Sequence, residues 1–283
     1  MIRRLLLALA GAALLAGCGE PARDWPDPKP ALWEVTGPEG QQGWLFGTIH
    51  TLPADARWRT PALDKALGAS GTLLVEVADL DDTARAAGVF ARLSRSEGLP
   101  VLSERVEPKD RPALARFLDR ANVDDDDFSD METWGAALVI SNRARPTREE
   151  QSVDKQLIAA APSVVGLETY ELQFGAFDTL PPAEQADLLI ALSQDVTGQD
   201  KRIEEWLTGD LAGLERDSAA ILGDPELRLA LQVYRNKRWT PTIASMIADG
   251  KKPFVAVGTA HLFGEDSVPS LLEAAGYKVT RIQ

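Results

Sequence analysis

The chain has two histidines, and each closes the same short motif. His50 ends residues 47–50 (Gly-Thr-Ile-His), and His261 ends residues 258–261 (Gly-Thr-Ala-His). Apolar residues precede each motif, so each histidine should follow the C-terminal end of a buried strand. Ligands bind at that edge of open α/β sheets, and an imidazole there can bind a metal ion or act as a general base. One isolated histidine is more often a structural residue, but the duplication favours a shared site. Its supporting residues would be Gly47, Thr48, Gly258 and Thr259.

Two acidic residues close other apolar stretches. Glu76 lies within residues 73–77 (LLVEV), and Glu168 ends residues 164–168 (VVGLE). A carboxylate that is buried without a partner costs several kcal/mol, so each should be paired or functional. Function is favoured for Glu76, which has apolar neighbours on both sides. For Glu168, a salt bridge or a helix cap explains the residue as well as a functional role does.

A basic cluster at residues 234–239 (YRNKRW) contains Arg235 and Asn236. The pattern predicts the C-terminal end of a helix here, where the helix dipole favours cations without any functional role. One arginine could still pair with a strand-end carboxylate or orient a substrate carbonyl.

The overall pattern predicts an α/β fold with a mixed central β-sheet flanked by helices and a helical insert at roughly residues 170–250. The site would be built from the two Gly-Thr-x-His loops at the strand ends. The GxSxG, P-loop, GxGxxG, HExxH and CxxC motifs are all absent. With 43 acidic and 30 basic residues the net charge is −13, which argues against nucleic acid as a partner.

The N-terminal residues predict export and lipidation. Residues 1–17 are typical of a lipoprotein signal peptide, and Cys18 follows a lipobox-like Leu-Ala-Gly. Cys18 is the only cysteine, which excludes an internal disulfide and favours its role as the lipid attachment site. Residues 18–30 are proline-rich and predict an extended tether, and residues 31–283 form the domain. We expect a lipid anchor in the bacterial cell envelope, with the periplasmic face of the outer membrane favoured because Gly19 follows the cysteine.

Five segments in order resemble the TraB/GumN family. These are residues 45–50 (LFGTIH), 74–77 (LVEV), 165–169 (VGLET), 234–236 (YRN) and 257–264 (VGTAHLFG). The resemblance covers about residues 31–283. The family includes the Tiki-type membrane-anchored metalloproteases and is distantly similar to the erythromycin-esterase and ChaN haem-binding folds.

The resemblance implies a divalent metal ion, with Mn, Co or Zn possible, held by His50, His261 and Glu76. It further implies that Glu76 and Arg235 are catalytic, with Glu168 and Asn236 in support. The expected function is a metal-dependent, peptidase-like hydrolase acting on a peptide or small molecule. One alternative is a metal-independent esterase-like hydrolase that uses histidine and glutamate directly. Another is a haem- or ligand-binding lipoprotein without turnover. The oligomeric state stays open.

Overall fold

The computed structural model describes residues 23–195 and 198–283. The predicted signal peptide and the predicted lipidation site, Cys18, lie outside these residues. The centre of the fold is a six-stranded mixed sheet, and a pair of two-residue strands lies apart from it. The strands are β1 (Leu32–Thr36), β2 (Gln42–Thr48), β3 (Leu52–Pro53), β4 (Thr72–Val75), β5 (Glu150–Gln151), β6 (Val164–Gly166), β7 (Pro253–Gly258) and β8 (Lys278–Arg281).

The large sheet has the order β6-β4-β7-β2-β1-β8. Strands β6, β4, β7 and β2 are parallel to one another, whereas β1 is antiparallel to both β2 and β8. The two central strands come from the apolar runs, and residues 43–48 and 253–257 are all buried. Strands buried on both faces are expected where helices cover a parallel sheet. The predicted α/β fold with a mixed sheet is confirmed.

The helices surround this sheet. In the first half they are α1 (Pro61–Ala69), α2 (Thr83–Leu93), α3 (Leu102–Arg105), α4 (Arg111–Ala121), α5 (Thr133–Arg143) and α6 (Val153–Ala160). In the second half they are α7 (Tyr170–Asp178), α8 (Pro182–Asp195), α9 (Gln199–Thr208), α10 (Leu211–Asp217), α11 (Ala219–Leu222), α12 (Pro225–Arg228), α13 (Tyr234–Ala248) and α14 (Val268–Ala274). A π-helical segment, Leu229–Val233, joins α12 to α13, and a 3₁₀ turn, Thr259–Leu262, follows β7.

The two faces of the sheet carry separate apolar cores. Phe46 and Phe254 face a core that includes tryptophans of the loops and helices on one side. Leu45 and Val255 face the opposite core, where Trp239 of α13 is buried. This alternation is the period of two that a strand imposes on its side chains. Both faces are therefore covered, and the strand ends remain as the open edge of the sheet.

The predicted boundary of one helix is wrong. The sequence predicts a helix end at residues 234–239, but α13 begins at Tyr234 and continues through Pro241 to Ala248. A proline inside a helix removes one backbone hydrogen bond, so Pro241 by itself disfavours a continuous helix here. Burial of Trp239, Ile243 and Ile247 in the sheet core outweighs that preference. Arg235 therefore lies in the first turn of α13, and the helix dipole does not account for it.

The N-terminal segment lies along α9. Residues 23–30 form no helix or strand, and Arg23 pairs with Asp200 and Glu204 at 2.6 and 2.5 Å. The backbone N–H of Lys29 donates to the carbonyl of Leu207. Within the described residues, no helix combines the length and the apolar character that a membrane crossing needs.

Candidate functional site

Arg235 lies at the centre of a charged network at the carboxyl ends of the parallel strands. Glu76 directly follows β4, and Glu168 lies two residues beyond β6. Nη2 of Arg235 donates to Oε2 of Glu76 at 2.5 Å and to Oε1 of Glu168 at 2.6 Å. The three side chains are between 0% and 12% exposed, so this ion-pair cluster is buried. Because the parallel topology brings these strand ends together, residues far apart in sequence meet at one edge.

His261 is held in one tautomer by this network. Nδ2 of Asn236 donates to the carbonyl of Asp266 at 2.8 Å, so the amide oxygen accepts from Nδ1 of His261 at 2.7 Å. Nε2 of His261 then accepts from Nη1 of Arg235 at 3.1 Å. Burial, supported by the charge of Arg235, lowers the pKa of His261 to about 3, although Glu76 acts in the opposite direction. The imidazole is therefore neutral at physiological pH.

The ionised carboxylate of Glu76 contacts both Arg235 and the end of β7. Its Oε1 accepts from the backbone N–H of Gly258 at 2.8 Å, and Oε2 accepts from Nε2 of Gln173 at 3.2 Å. Burial is the largest single effect and would raise its pKa, but the charge of Arg235, the two histidines and the Gly258 hydrogen bond together outweigh burial. The pKa of Glu76 falls to about 2. Burial likewise opposes the charged form of Arg235, but its two carboxylate partners raise its pKa.

The glycines of the two motifs are required by close approach. A Cβ atom on Gly47 would lie 2.7 Å from Oγ1 of Thr259, and one on Gly258 would lie 3.2 Å from Oε1 of Glu76. The Thr259 hydroxyl donates to the carbonyl of Thr48 at 2.9 Å. The two motifs thus touch each other across the parallel pair β2 and β7.

His50 lies apart from the buried network. It follows β2 by two residues, its side chain is 72% exposed, and Nδ1 lies 3.5 Å from Oδ2 of Asp154 in the first turn of α6. Asp154 is the main cause that raises the pKa of His50. Because Asp154 approaches Nδ1, Nε2 is the nitrogen left to exchange a proton. This is the arrangement of a base with an orienting carboxylate.

A cleft of about 490 Å³ joins His50 to the buried network. His50, Glu76, Asp154 and Arg235 all line this strand-end cleft. In the described part of the chain its wall does not include His261, which lies behind Arg235 and shapes the site indirectly. The structure therefore brings His50, Glu76 and Arg235 to one cavity, and it places His261, Asn236 and Glu168 beneath it.

Sequence reasoning missed three residues of the site. Asp154 contacts His50, Gln173 contacts Glu76, and Arg238 donates to Glu168 at 2.9 Å. Asp154 lies in the first turn of a helix, where the helix dipole alone favours acidic residues. Its position in the sequence therefore did not indicate a contact with His50. Arg238 belongs to the basic cluster at residues 234–239, in which the pattern does not distinguish one arginine from another, and its carboxylate partner is Glu168.

The arrangement of the donor atoms does not fit the implied metal ion. The guanidinium of Arg235 already bonds Oε2 of Glu76 and Nε2 of His261, so a positive group covers the atoms that would coordinate the metal. The ligand atoms of a metal site must lie close enough together to bind the same ion. Among the described residues, the ligand atoms of His50, Glu76 and His261 do not form a group within 4.8 Å of one another. The metal ion stays a prediction from the resemblance.

These features define an α/β protein with a buried charged site at the carboxyl edge of its parallel strands. The chain belongs to the TraB/PrgY/gumN family, whose model matches residues 31–281. The resemblance to this family predicted from five short segments is confirmed.

Two relatives extend the comparison. The "Uncharacterized protein YbaP" of Shigella flexneri is 26% identical over 253 residues, which cover 86% of this chain and 92% of that protein. The "Uncharacterized protein YbaP" of Escherichia coli K12 is similar to the same extent. No solved structure matches the chain.

Proposed function

We propose that this protein is a metal-independent hydrolase that cleaves acyl bonds of peptides or esters in the strand-end cleft. The observation that carries the proposal is that His50, Asp154, Glu76 and Arg235 line one cavity. An oriented imidazole, an ionised carboxylate and a fixed cation are the groups that activate a water molecule and stabilise an oxyanion.

In this reaction His50 is the general base. It takes a proton from a water molecule on Nε2 while Asp154 stabilises the imidazolium through Nδ1. The water oxygen forms a bond to the acyl carbon, and the carbonyl oxygen becomes negatively charged. The bond to the leaving oxygen or nitrogen then breaks, and the leaving group takes the proton back from His50. Atoms and charge balance without a further reactant.

Arg235 and Glu76 provide the fixed electrostatic environment. Arg235 lines the cleft with a guanidinium that four bonding partners hold in place, and its positive charge faces the position where an oxyanion develops. Its N–H groups all donate to these partners and to Oε1 of Glu168, so Arg235 acts on the oxyanion through its charge. A charge that is already in place costs no reorganisation at the moment of reaction. Glu76 keeps Arg235 in position and presents an ionised oxygen to water in the cleft.

The burial of His261 supports histidine-based rather than metal-based chemistry. Its Nδ1 and Nε2 are both in hydrogen bonds, to Asn236 and Arg235. Binding of a metal ion or a haem iron at Nε2 would break the contact with Arg235 and place a second cation beside the guanidinium. His261 therefore acts as an acceptor that fixes Arg235.

The test is a hydrolysis screen with peptide and carboxylic ester substrates, on protein that has been dialysed against a chelator. We expect turnover that the chelator leaves unchanged and that Glu76→Gln and His50→Gln each reduce strongly. Glu39→Gln, a substitution in the exposed turn before β2, is the matched control. Activity that disappears with the chelator and returns with Mn²⁺, Co²⁺ or Zn²⁺ would support the metal-dependent alternative.

We further propose that the chain is a lipid-anchored protein of the bacterial cell envelope. The support is the N-terminal sequence, in which an apolar segment leads to the lone Cys18. Labelling cells with a fatty-acid analogue tests this: wild type should carry the label and Cys18→Ala should not. Equal labelling of the two proteins would contradict the anchor.

A further inference from the structure

A second, smaller pocket opens beside His50, on the side away from Glu76. Its volume is about 110 Å³, and His50 and Thr51 line both this pocket and the strand-end cleft. The rest of its wall comes from the end of α5 and from the start of α9. These residues are Ser141, Arg145, Gln199 and Arg202, together with Ile49 of the loop after β2.

The described residues that line the pocket carry basic and no acidic side chains, in a protein that is otherwise acidic. Its lining residues, all in the described part of the chain, include two arginines and no aspartate or glutamate. The whole chain carries a net charge of −13. The side chain of Arg145 forms no hydrogen bond or ion pair with a described residue. Arg145, which has no carboxylate partner among the described residues and lies beside the candidate base, is suited to bind an anionic group of a ligand.

Further donors surround the same space. Thr51 and Ser141 contribute hydroxyl groups. Helix α9 begins at Gln199, and its N-cap, Gly198, has no side chain that could cap the first backbone N–H groups. The positive end of a helix dipole favours an anion at this position.

The size of the pocket limits the ligand. A volume of about 110 Å³ corresponds to roughly three to four water molecules at about 30 Å³ each. That space admits a carboxylate with a small substituent. A planar carboxylate also matches the fork of an arginine side chain, which binds it through two parallel hydrogen bonds.

We propose that this pocket binds a free carboxylate of the substrate, so that the enzyme prefers acyl compounds with a carboxylate close to the scissile bond. The inference rests on the proposed function, because it places the bond that is cleaved beside His50. Since His50 lines both cavities, only one or two residues fit between the carboxylate and the reacting carbonyl. The substrate class is therefore a peptide cleaved near its free C-terminus, or a small ester of comparable shape.

The test is a binding measurement that does not depend on turnover. Ligand-observed NMR gives the dissociation constants of N-acetyl-alanine, of its amide and of inorganic phosphate for the purified protein. We expect N-acetyl-alanine to bind at least tenfold more tightly than the amide, and more tightly than phosphate. Arg145→Gln should weaken N-acetyl-alanine binding at least tenfold. Arg143→Gln, at the exposed C-terminal end of α5, two residues before Arg145 and outside the pocket, is the matched control and should change it less than twofold.

Each outcome decides the matter. Equal binding of the acid and the amide overturns the proposal, and so does an equal effect of Arg145→Gln and Arg143→Gln. Tighter binding of phosphate than of N-acetyl-alanine assigns the pocket to a different anion and overturns it as well. If the expected binding is found but no substrate is cleaved, the hydrolase proposal alone fails. If cleavage is found while Arg145→Gln binds and cleaves as wild type does, the carboxylate pocket alone fails.

Discussion

Nη1 of Arg235 lies 3.1 Å from Nε2 of His261, and this contact determines what the histidine can do. The imidazole has its other nitrogen bonded to Asn236 at 2.7 Å, so both ring nitrogens are in use. Only His50 of the two motif histidines faces the cleft. The two copies of the motif thus place their histidines differently: His261 contacts the arginine, and His50 is exposed in the cleft.

Loss of the fully buried carboxylate of Glu168 should destabilise the fold strongly. Glu168 has a side chain that is 0% exposed and pairs with Arg235 and Arg238. Removal of one partner leaves a buried positive charge without compensation, so we expect Glu168→Gln to lower the free energy of unfolding by about 3–5 kcal/mol. Urea unfolding measures this. Glu171→Gln, three residues later with its side chain 43% exposed, is the control and should change it by less than about 0.5 kcal/mol. Similar values for the two variants would show that the cluster does not stabilise the fold.

Acid should destabilise the protein through His261. The pKa of His261 is about 3 in the folded protein and 6.5 in the unfolded chain, so the unfolded chain binds an extra proton between these values. Stability is therefore lost as the pH falls from 6.5 toward 3, with a slope of up to about 1.4 kcal/mol per pH unit.

Urea unfolding at pH 7 and pH 5 tests this linkage. His261→Gln should lose about 1–2 kcal/mol less than wild type between the two pH values. His50→Gln is the control: the pKa of His50 is raised on folding, so its removal should not reduce the acid loss. An unchanged pH dependence in His261→Gln would mean that the buried imidazole already takes up the proton in the folded state.

The close approach of the two motifs makes Gly47 intolerant of a side chain. Its added Cβ would lie 2.7 Å from Oγ1 and 3.1 Å from Cβ of Thr259, which is itself buried and bonded. Overpacking of this kind costs about 1–3 kcal/mol, so Gly47→Ala should lower the free energy of unfolding by that amount. Gly88→Ala in α2 meets no atom within 4 Å and should leave stability equal or raise it by about 0.4–1 kcal/mol. Thermal unfolding of both variants makes the comparison, and equal midpoints would contradict the packing described.

The pair of Asp154 and His50 should control the pH dependence of hydrolysis. Asp154 is the largest cause that raises the pKa of His50, and a general base works only when it is deprotonated. The rate should therefore rise with pH through the raised pKa. Asp154→Asn should move that rise to lower pH and reduce the maximal kcat, since the imidazolium loses its partner. If the rise of the rate with pH stays at the same pH in Asp154→Asn, a group other than His50 causes that rise.

The sequence was informative where strong apolar patterns were present. The runs before Gly47 and Gly258 and around Glu76 predicted the buried strands, and parallel pairing then brings their ends to one edge. Glu168 was predicted at the end of a further apolar strand, and parallel pairing of β6 with β4 brings it to the same edge of the sheet. The sequence left open whether one arginine of the basic cluster pairs with a strand-end carboxylate, and in the structure Arg235 pairs with both Glu76 and Glu168.

Other features depend on tertiary packing that no local pattern reveals. The π-helical segment Leu229–Val233 and the passage of α13 through Pro241 go against local preference. The exposure of His50 and the burial of His261 differ, although their motifs are nearly identical. The difference arises because α13 and its Arg235 cover the β7 motif, whereas α6 only borders the β2 motif.

The most direct measurement is the kcat/KM of chelator-treated wild type and of His50→Gln on the best substrate of the screen. We predict that wild type keeps its activity without added metal. His50→Gln should lose about 10²- to 10⁴-fold, the usual contribution of general acid–base catalysis, with the free energy of unfolding unchanged because the side chain is exposed. Activity in His50→Gln equal to wild type, or a wild-type activity that requires added divalent metal, would contradict a metal-independent site based on His50.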